Sequence, residues 1–191
     1  MNWNFPTSVE IDGEAFEIDN KCDYRTILDC ISVYEDMNLD ITSQHQSALI
    51  IFYKEPLKIK NPEEAVRQML RVIDVKNDDE PFTESGEGEE HSPRLMCWSK
   101  DFRFIAPAVS RVLGYDIRNP DIFTHWWTFY GAFMEGGECA WSTIISIRKK
   151  RMKGQKLEEW EQKVYRENRK DIDLPQNLSD DEKEWLDSEW I

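Results

Sequence analysis

Cysteine and histidine are the residue types in this chain that most readily bind metals or act as nucleophiles and bases. The chain has four cysteines and three histidines: Cys22, Cys30, Cys97, Cys139, His45, His91 and His125. No two cysteines form a C-x-x-C pair, and no spacing matches a zinc site or a compact disulfide framework. We therefore expect reduced thiols that are mostly buried, as is usual in a cytosolic protein.

A search for catalytic motifs leads to the same expectation. The chain contains no G-x-x-x-x-G-K-[ST], no G-x-G-x-x-G, no H-E-x-x-H and no G-x-S-x-G. His125 precedes two tryptophans, where a hydrogen bond at a helix surface is favoured over a role as a base. Acidic residues are spaced as solvated faces, so no pair stands out as general acid and base. The sequence predicts a protein that is not an enzyme, without catalytic residues, cofactor or metal.

The net charge of the chain indicates which classes of partner it can bind. The formal charge is −14 at pH 7, and such a field repels nucleic acid and anionic membranes. One segment runs against this balance, with Arg148, Lys149, Lys150, Arg151 and Lys153 nearly contiguous. A nucleic-acid patch is one interpretation. Local charge pairing is favoured, because the flanking chain is acidic and no aromatic residues interleave with the cations.

Membrane segments are not predicted either. The N-terminal residues MNWNFPTSVE lack a basic region followed by an apolar run, so no secretory signal is expected. All apolar stretches are far shorter than the roughly 18 residues that a transmembrane helix needs.

An acidic segment divides the chain at about residues 76–94. Eight acids lie between residues 74 and 93, and almost no apolar residue accompanies them. This composition predicts a solvated loop. A cation-binding loop is the alternative, but the carboxylates lack the spacing of a calcium loop.

The first predicted element is a β-hairpin. Val9 and Ile11 alternate with polar residues, Asp12-Gly13 supplies a tight turn, and residues 16–18 alternate again. A lone hairpin is marginally stable in water, so we expect it to pack on the rest of the domain.

Apolar residues at helical spacing dominate the remaining chain, so the predicted fold class is mainly α. We expect a single helical domain over residues 1–175, with a small N-terminal β-hairpin. The helical periodicities cover 23–37, 43–54, 62–74, 99–113, 120–135 and 142–170. Asp23, Ser43 and Ser99 are the expected N-caps of the first, second and fourth helices. Gly114 should end the fourth helix, and Pro107 either kinks it or marks the first turn of a shorter one.

The segment THWWTFYGAFMEGG, residues 124–137, holds the densest aromatic run. We expect a central helix that begins at the cap 119–121 and ends at Gly136-Gly137. One stripe is Ile122, Trp126, Phe129 and Phe133; a second, rotated by about 100°, is Phe123, Trp127, Tyr130 and Met134. So wide an apolar arc is typical of a core helix with several neighbours. Trp126 is predicted to be deeply buried and Trp127 partly exposed.

Residues 176–191 form a predicted acidic C-terminal extension. A Ser179–Glu182 capping box opens a short helix whose narrow apolar side is Trp185, Leu186 and Trp190. A segment of this kind docks on its own domain or on a partner.

The order of these features resembles that of the phage protein family called gene product fifteen. The hairpin leads into VEIDGEAFEIDNKCDYR, in which Asp23, Tyr24 and Arg25 match the family pattern and Asn20 stands somewhat early. The family's aromatic-aspartate helix and glycine turn match SKDFRFIAPAVSRVLGYDI, apart from Pro107. Its most specific mark, a histidine–tryptophan–tryptophan–x–phenylalanine helix, matches HWWTF at 125–129. IISIR, KKRMKGQK and the closing DLP follow, so the similarity spans roughly residues 7–175.

Membership of that family implies a tail assembly chaperone. Such a protein binds the tape-measure protein and keeps it soluble in the host cytoplasm, and it is absent from the mature virion. The major tail protein and a second copy of the chain are further implied partners; nucleic acid and membrane are not. The alternatives are a structural tail completion or connector protein, and a small acidic phage protein that acts on a host factor. The expected partner-binding residues are Phe123, Trp127, Tyr130, Met134, Trp185, Leu186 and Trp190.

Overall fold

The structure, a computed structural model, describes residues 4–75 and 95–174 of the 191 residues. It confirms a mainly α fold that opens with a small antiparallel hairpin. The elements are β1 (Ser8–Ile11), β2 (Glu14–Glu17), α1 (Tyr24–Glu35), α2 (Ile41–Phe52), α3 (Pro62–Ile73), α4 (Trp98–Leu113), α5 (Trp126–Met134), α6 (Ala140–Met152), α7 (Glu159–Glu167) and α8 (Arg169–Ile172). The predicted acidic loop at 76–94 and the predicted helix within 176–191 lie outside the described residues.

The hairpin has the predicted register and turn. Val9 pairs with Phe16, and Ile11 pairs with Glu14 across the two-residue turn. Asp12 and Gly13 both have positive φ, 50° and 84°, as a type I′ turn requires. The hairpin packs on the helices as expected, because β1 lies against α3.

The main core surrounds α5, and most of its side chains come from α1 to α5. Trp126 is only 1% exposed, which confirms its predicted burial, and Trp127 is half-buried. The Tyr24 ring stacks on Phe129 with centroids 4.6 Å apart and planes within 3°. Aromatic rings thus join the first helix of the fold to its central one.

The predicted cap of α2 is wrong by three residues. Asp40, and not Ser43, is the N-cap, because its carboxylate accepts bonds from the backbone N–H groups of Thr42 and Ser43 at 3.0 Å each. The Ser43 hydroxyl donates to the same carboxylate at 2.7 Å. A carboxylate satisfies two orphan N–H groups at once, so the helix begins earlier than the serine pattern indicated.

The predicted cap of α4 is also wrong, and the reason is tertiary. Ser99 lies inside the first turn, and the side chain of the N-cap residue Cys97 makes no capping hydrogen bond to the helix backbone. Glu35, at the end of α1, accepts from the backbone N–H of Trp98 at 2.9 Å. Asp101 accepts from the backbone N–H of Cys97 at 3.0 Å. A carboxylate from another helix therefore caps α4 in place of a local side chain.

Gly114 and Pro107 affect the length of α4 in different ways. Gly114 ends the helix with φ of 78°, as predicted. Pro107 stands inside one continuous helix, so it does not begin a shorter one. Its ring lies at an exposed position, where the loss of one backbone bond is cheapest.

Two predicted helix boundaries need larger corrections. α5 begins at Trp126 instead of residue 120, and its N-cap is His125. Phe123 therefore precedes the helix and is not part of a helical stripe. The helical periodicity over 142–170 covers three helices, since Gly154, with φ of 62°, follows the end of α6, and Asn168 separates α7 from α8.

The basic cluster of α6 is largely paired within the chain. Arg148 is buried against Asp101, with Nη–O distances of 2.6 and 2.7 Å. Lys150 binds the carboxylate of Glu161 at 2.7 and 2.8 Å. Arg151 pairs with Asp173. Local charge pairing, the favoured interpretation of this cluster, is confirmed for these three cations.

Candidate functional site

Two segments that carry the family resemblance meet at the centre of the fold. Tyr24 N donates to Thr124 O at 3.0 Å, and Trp126 N donates to Cys22 O at 2.8 Å. These bonds form a short antiparallel bridge between residue 23 and His125. The bridge places the N-terminal ends of α1 and α5 side by side. We call residues 22–25, 117–122 and 124–129 together the aromatic junction.

Tyr24 and Arg25, at the start of α1, hold the turn that follows α4. The Tyr24 hydroxyl donates to Ile117 O at 2.7 Å. The Arg25 guanidinium donates to Ile117 O at 3.0 Å and to Asn119 O at 2.8 Å. It also reaches Ile122 O at 3.3 Å. Two side chains thus satisfy three carbonyls of an irregular segment, which fixes that turn without regular secondary structure.

His125 caps α5 from a buried position. Its Nδ1 accepts from Trp127 N at 3.1 Å, so Nε2 must carry the proton, and it donates to Pro6 O at 3.0 Å. The ring stacks on Phe5 with centroids 4.5 Å apart. Burial lowers the pKa of His125 below its usual value, although the Pro6 carbonyl and Asp23 act in the opposite direction. Both ring nitrogens are engaged, so this side chain is a cap and not a base poised for catalysis.

The indole N–H groups of Trp126 and Trp127 bind backbone carbonyls at the C-terminal end of α3. Trp126 Nε1 donates to Ile73 O at 2.9 Å, and Trp127 Nε1 donates to Val72 O at 3.0 Å. The last carbonyls of a helix have no partner within it. The two indoles therefore cap the C-terminal end of α3, just before residue 76.

An open groove of about 390 Å³ lies between α1 and α4, beside the aromatic junction. Its apolar lining comes from Tyr24, Leu28, Trp98 and Phe102, and its polar lining from Arg25, Asp29, Ser32, Ser99 and Arg118. Arg118 hydrogen-bonds Asp116 and lowers the pKa of that carboxyl to about 2, so both groups stay charged. An apolar cleft with a few polar groups at its rim is the usual form of a binding site.

A second, smaller cavity of about 170 Å³ lies between α4, α5 and the start of α6. Its lining is mainly apolar and includes Ile105, Phe133, Met134 and Trp141. Met134 is 65% exposed at the edge of this cavity. The cavity has room for a single side chain of a partner.

The predicted partner-binding residues lie in different environments. Phe123 is 54% exposed before the start of α5, and Met134 is exposed at its end. Trp127 and Tyr130 are half-buried and pack against the core. Trp127, Tyr130 and Met134 keep the predicted helical spacing within α5, whereas Phe123 lies before the helix. The other three predicted residues, Trp185, Leu186 and Trp190, lie outside the described residues.

The sequence pattern does not predict the groove. The segments CDYR and SKDF supply Tyr24, Arg25, Ser99 and Phe102 to the lining. Their spacing alone indicates helix starts and core positions. The signal was their place in the family resemblance, since helical periodicity alone does not show that two helices leave a cleft between them.

The described residues show little that resembles a reactive centre. Burial raises the pKa of Cys22 and of Cys30 to about 12, so both thiols stay protonated. Within residues 4–75 and 95–174, no group of three or more His, Cys, Asp or Glu could hold a metal ion. None of the helices in these ranges is long and apolar enough to cross a membrane.

Comparison with known proteins gives one family. The model of the family described as Bacteriophage Gp15 protein matches residues 1–174. That range covers all three segments of the aromatic junction and both walls of the groove. No curated protein and no solved structure gives a significant match.

Proposed function

The chain belongs to the Bacteriophage Gp15 protein family and is thus a phage protein, and on this premise we propose that it is a tail assembly chaperone. It binds the tape-measure protein and keeps that long chain in solution while the tail tube forms. It acts in the host cytoplasm and is absent from the mature virion.

The groove between α1 and α4 is the observation that carries this proposal. A tape-measure chain is long and helical, so its exposed segments are amphipathic helices that need an apolar surface. Leu28, Trp98 and Phe102 offer such a surface between two helices. Helix-in-groove recognition places the apolar face of a helix against such a lining and leaves its polar face in water.

Charged groups at the rim would set the orientation of the bound helix. Arg25, Arg118 and Asp29 belong to the lining of the groove. A rim of both signs contributes specificity and register more than affinity. A client helix with acids on one flank and bases on the other fits this arrangement.

Phe123 and Met134 provide additional apolar contacts at the two ends of α5. Trp127 and Tyr130 support them, because they pack on the core between these ends. We therefore assign direct contact with the client to Phe123 and Met134, and a positioning role to Trp127 and Tyr130.

The test is co-expression of the full chain with the tape-measure protein, followed by pull-down and measurement of the soluble fraction of that protein. Ser32→Trp fills the groove from an exposed position and removes no core contact. We expect it to reduce co-purification by about tenfold, which corresponds to about 1.4 kcal/mol of binding free energy. Phe123→Ala and Met134→Ala should each reduce it less.

Leu57→Ala is the matched control, since this apolar side chain is 98% exposed and lies outside the groove. It should leave co-purification unchanged. The chaperone proposal fails when the wild-type chain neither binds the tape-measure protein nor raises its soluble fraction. Equal binding by wild type and Ser32→Trp leaves the function but rejects the groove.

Mass spectrometry of purified phage particles separates the chaperone from a structural tail component. A chaperone should be missing from the particles, whereas a completion or connector protein should be present in fixed copy number. Detection of the chain there at stoichiometric level would overturn the assignment.

A further inference from the structure

Charge is distributed very unevenly along the C-terminal third of the chain. Residues 140–170 contain ten Lys and Arg but only four Asp and Glu. Residues 175–191 contain six Asp and Glu and a single Lys. A strongly basic helical region is thus followed directly by a strongly acidic segment.

The folded basic region leaves several cations without an ionic partner. Five exposed lysines of α6–α8 and their connections form no ion pair with another described residue: Lys149, Lys153, Lys156, Lys163 and Lys170. In a chain of net charge −14, such a concentration of unpaired positive charge attracts the nearest acidic segment.

Apolar side chains accompany these lysines. Met152 lies three residues after Lys149 on α6, and Trp160 lies three residues before Lys163 on α7, so each pair shares a helix face. Both apolar side chains are exposed. We call these two exposed helix faces together the basic face, with Lys149, Met152 and Lys153 at α6 and Trp160 and Lys163 on α7.

The described chain ends against the other side of these two helices, since Arg151 and Tyr165 lie about 200° around the helix axis from Lys149 and Lys163. The Asp173 carboxylate accepts from the Tyr165 hydroxyl at 3.1 Å and from Arg169 Nε at 3.2 Å, and it pairs with Arg151 of α6. Leu174, the last described residue, therefore lies close to α6 and α7. Seventeen residues follow Leu174, and an extended chain spans about 3.3 Å per residue, so the distance to the basic face is easily covered.

We propose that residues 175–191 dock on the basic face. The acids of this segment pair with Lys149, Lys153 and Lys163, while Trp185, Leu186 and Trp190 cover Met152 and Trp160. The two surfaces match in both charge and apolar content. The docked segment shields the basic region from nucleic acid and from other acidic molecules.

Weak contacts are sufficient for this docking because the segment is tethered. Exposed ion pairs contribute about 0–1 kcal/mol each. A short flexible linker gives an effective concentration in the millimolar range, so even a modest intrinsic affinity keeps the segment bound. Because the attraction is between exposed charges, high salt should weaken it.

Limited proteolysis of the full chain tests the proposal. Chymotrypsin cleaves after aromatic residues, so Trp185 and Trp190 report whether the segment is accessible, and intact mass measures the release of its last residues. We compare the wild type with the variant Lys149→Glu, Lys153→Glu, Lys163→Glu at low salt. Loss of docking should accelerate cleavage at these tryptophans by about tenfold, a change equivalent to about 1.4 kcal/mol.

Two further variants make the result decisive. Lys21→Glu, Lys58→Glu, Lys60→Glu changes the net charge by the same amount at exposed positions elsewhere, and should be cleaved at the wild-type rate. Adding Asp180→Lys, Asp181→Lys, Glu184→Lys to the basic-face variant reverses both partners and should restore protection.

The proposal is overturned by cleavage of the basic-face variant at the wild-type rate, by equal acceleration in the control, or by failure of the charge swap to restore protection. Thermal unfolding of each variant verifies that the helical domain is intact. The experiment contains no tape-measure protein, so its failure would leave the chaperone proposal untouched.

Discussion

The aromatic junction and the helices α6–α8 are stabilised in different ways. In the junction, side chains such as Tyr24, Arg25 and the two indoles mainly satisfy backbone carbonyls at helix ends and in one turn. Around α6–α8, ion pairs such as Arg148 with Asp101 of α4 and Lys150 with Glu161 accompany a small apolar cluster of Ile144, Ile147 and Ile172.

Arg148 illustrates how many hydrogen bonds a buried charge in the α6–α8 region makes. Its five N–H donors bind the two Asp101 oxygens and the carbonyls of Leu95, Asp171 and Ile172. A buried charge is tolerated only when its hydrogen bonds are complete, since the desolvation cost is large. We therefore expect the junction to tolerate the loss of one hydrogen bond better than this cluster does, because its apolar packing remains.

The largest loss of stability should come from a substitution in the aromatic junction. Trp126→Ala removes a fully buried indole and its bond to Ile73 O, so we expect a loss of about 4–5 kcal/mol in the free energy of unfolding. Trp127→Ala should cost clearly less, because that ring is half-buried. Urea unfolding of both variants measures the difference. Equal costs would show that the indole bonds to α3, and not burial, dominate.

Breaking the buried ion pair should have nearly as large an effect. Arg148→Met leaves the Asp101 carboxylate buried without its cation, and we expect a loss of about 3–4 kcal/mol. The double variant Arg148→Met, Asp101→Asn should be more stable than Arg148→Met alone. Additive losses in this double-mutant cycle would contradict the view that these helices depend on complete charge pairing.

The stability of the aromatic junction should also depend on pH, because the junction contains His125. Burial lowers the folded-state pKa of His125, so the unfolded chain binds a proton more readily. Stability should be full above the unfolded value of about 6.5, and it should decrease as the pH falls below it, by about 1.4 kcal/mol per unit of pKa difference. The Nδ1 atom that caps α5 is then protonated and no longer an acceptor.

His125→Asn is the control for this prediction. Asparagine is a good N-cap and does not titrate. The difference in urea midpoint between pH 8 and pH 5.5 should therefore be smaller in this variant than in the wild type. An identical pH dependence in both proteins would assign the acid sensitivity to other groups.

The smallest effect concerns two glycines at α5. Gly131 is exposed within the helix, and an added Cβ meets no atom within 4 Å. Gly131→Ala should stabilise the chain by about 0.5–1 kcal/mol, through helix propensity alone. Gly136→Ala should destabilise it, because its Cβ would lie 3.1 Å from Phe133 O. Thermal unfolding gives both signs, and stabilisation by Gly136→Ala would contradict the packing at this helix end.

Local sequence was enough to predict several elements. The Asp12-Gly13 turn, the Asp23 cap and the Gly114 stop depend on neighbours within a few residues, so residue type and spacing carry the necessary information. The burial of Trp126 also followed from its position in an apolar period. The same apolar period extends to Ile122, so the sequence predicted a helix start at residue 120. It gave no indication that His125 is the N-cap.

What only the tertiary structure decided involves partners that are distant in the chain. Glu35 caps α4 from 63 residues away, Arg148 pairs with Asp101 from 47 residues away, and Arg25 binds carbonyls more than 90 residues along the chain. Sequence periodicity determines which face of each helix is apolar. It does not determine which carboxylate reaches which orphan N–H, or where two helices leave a groove, because both depend on how the apolar faces pack together in three dimensions.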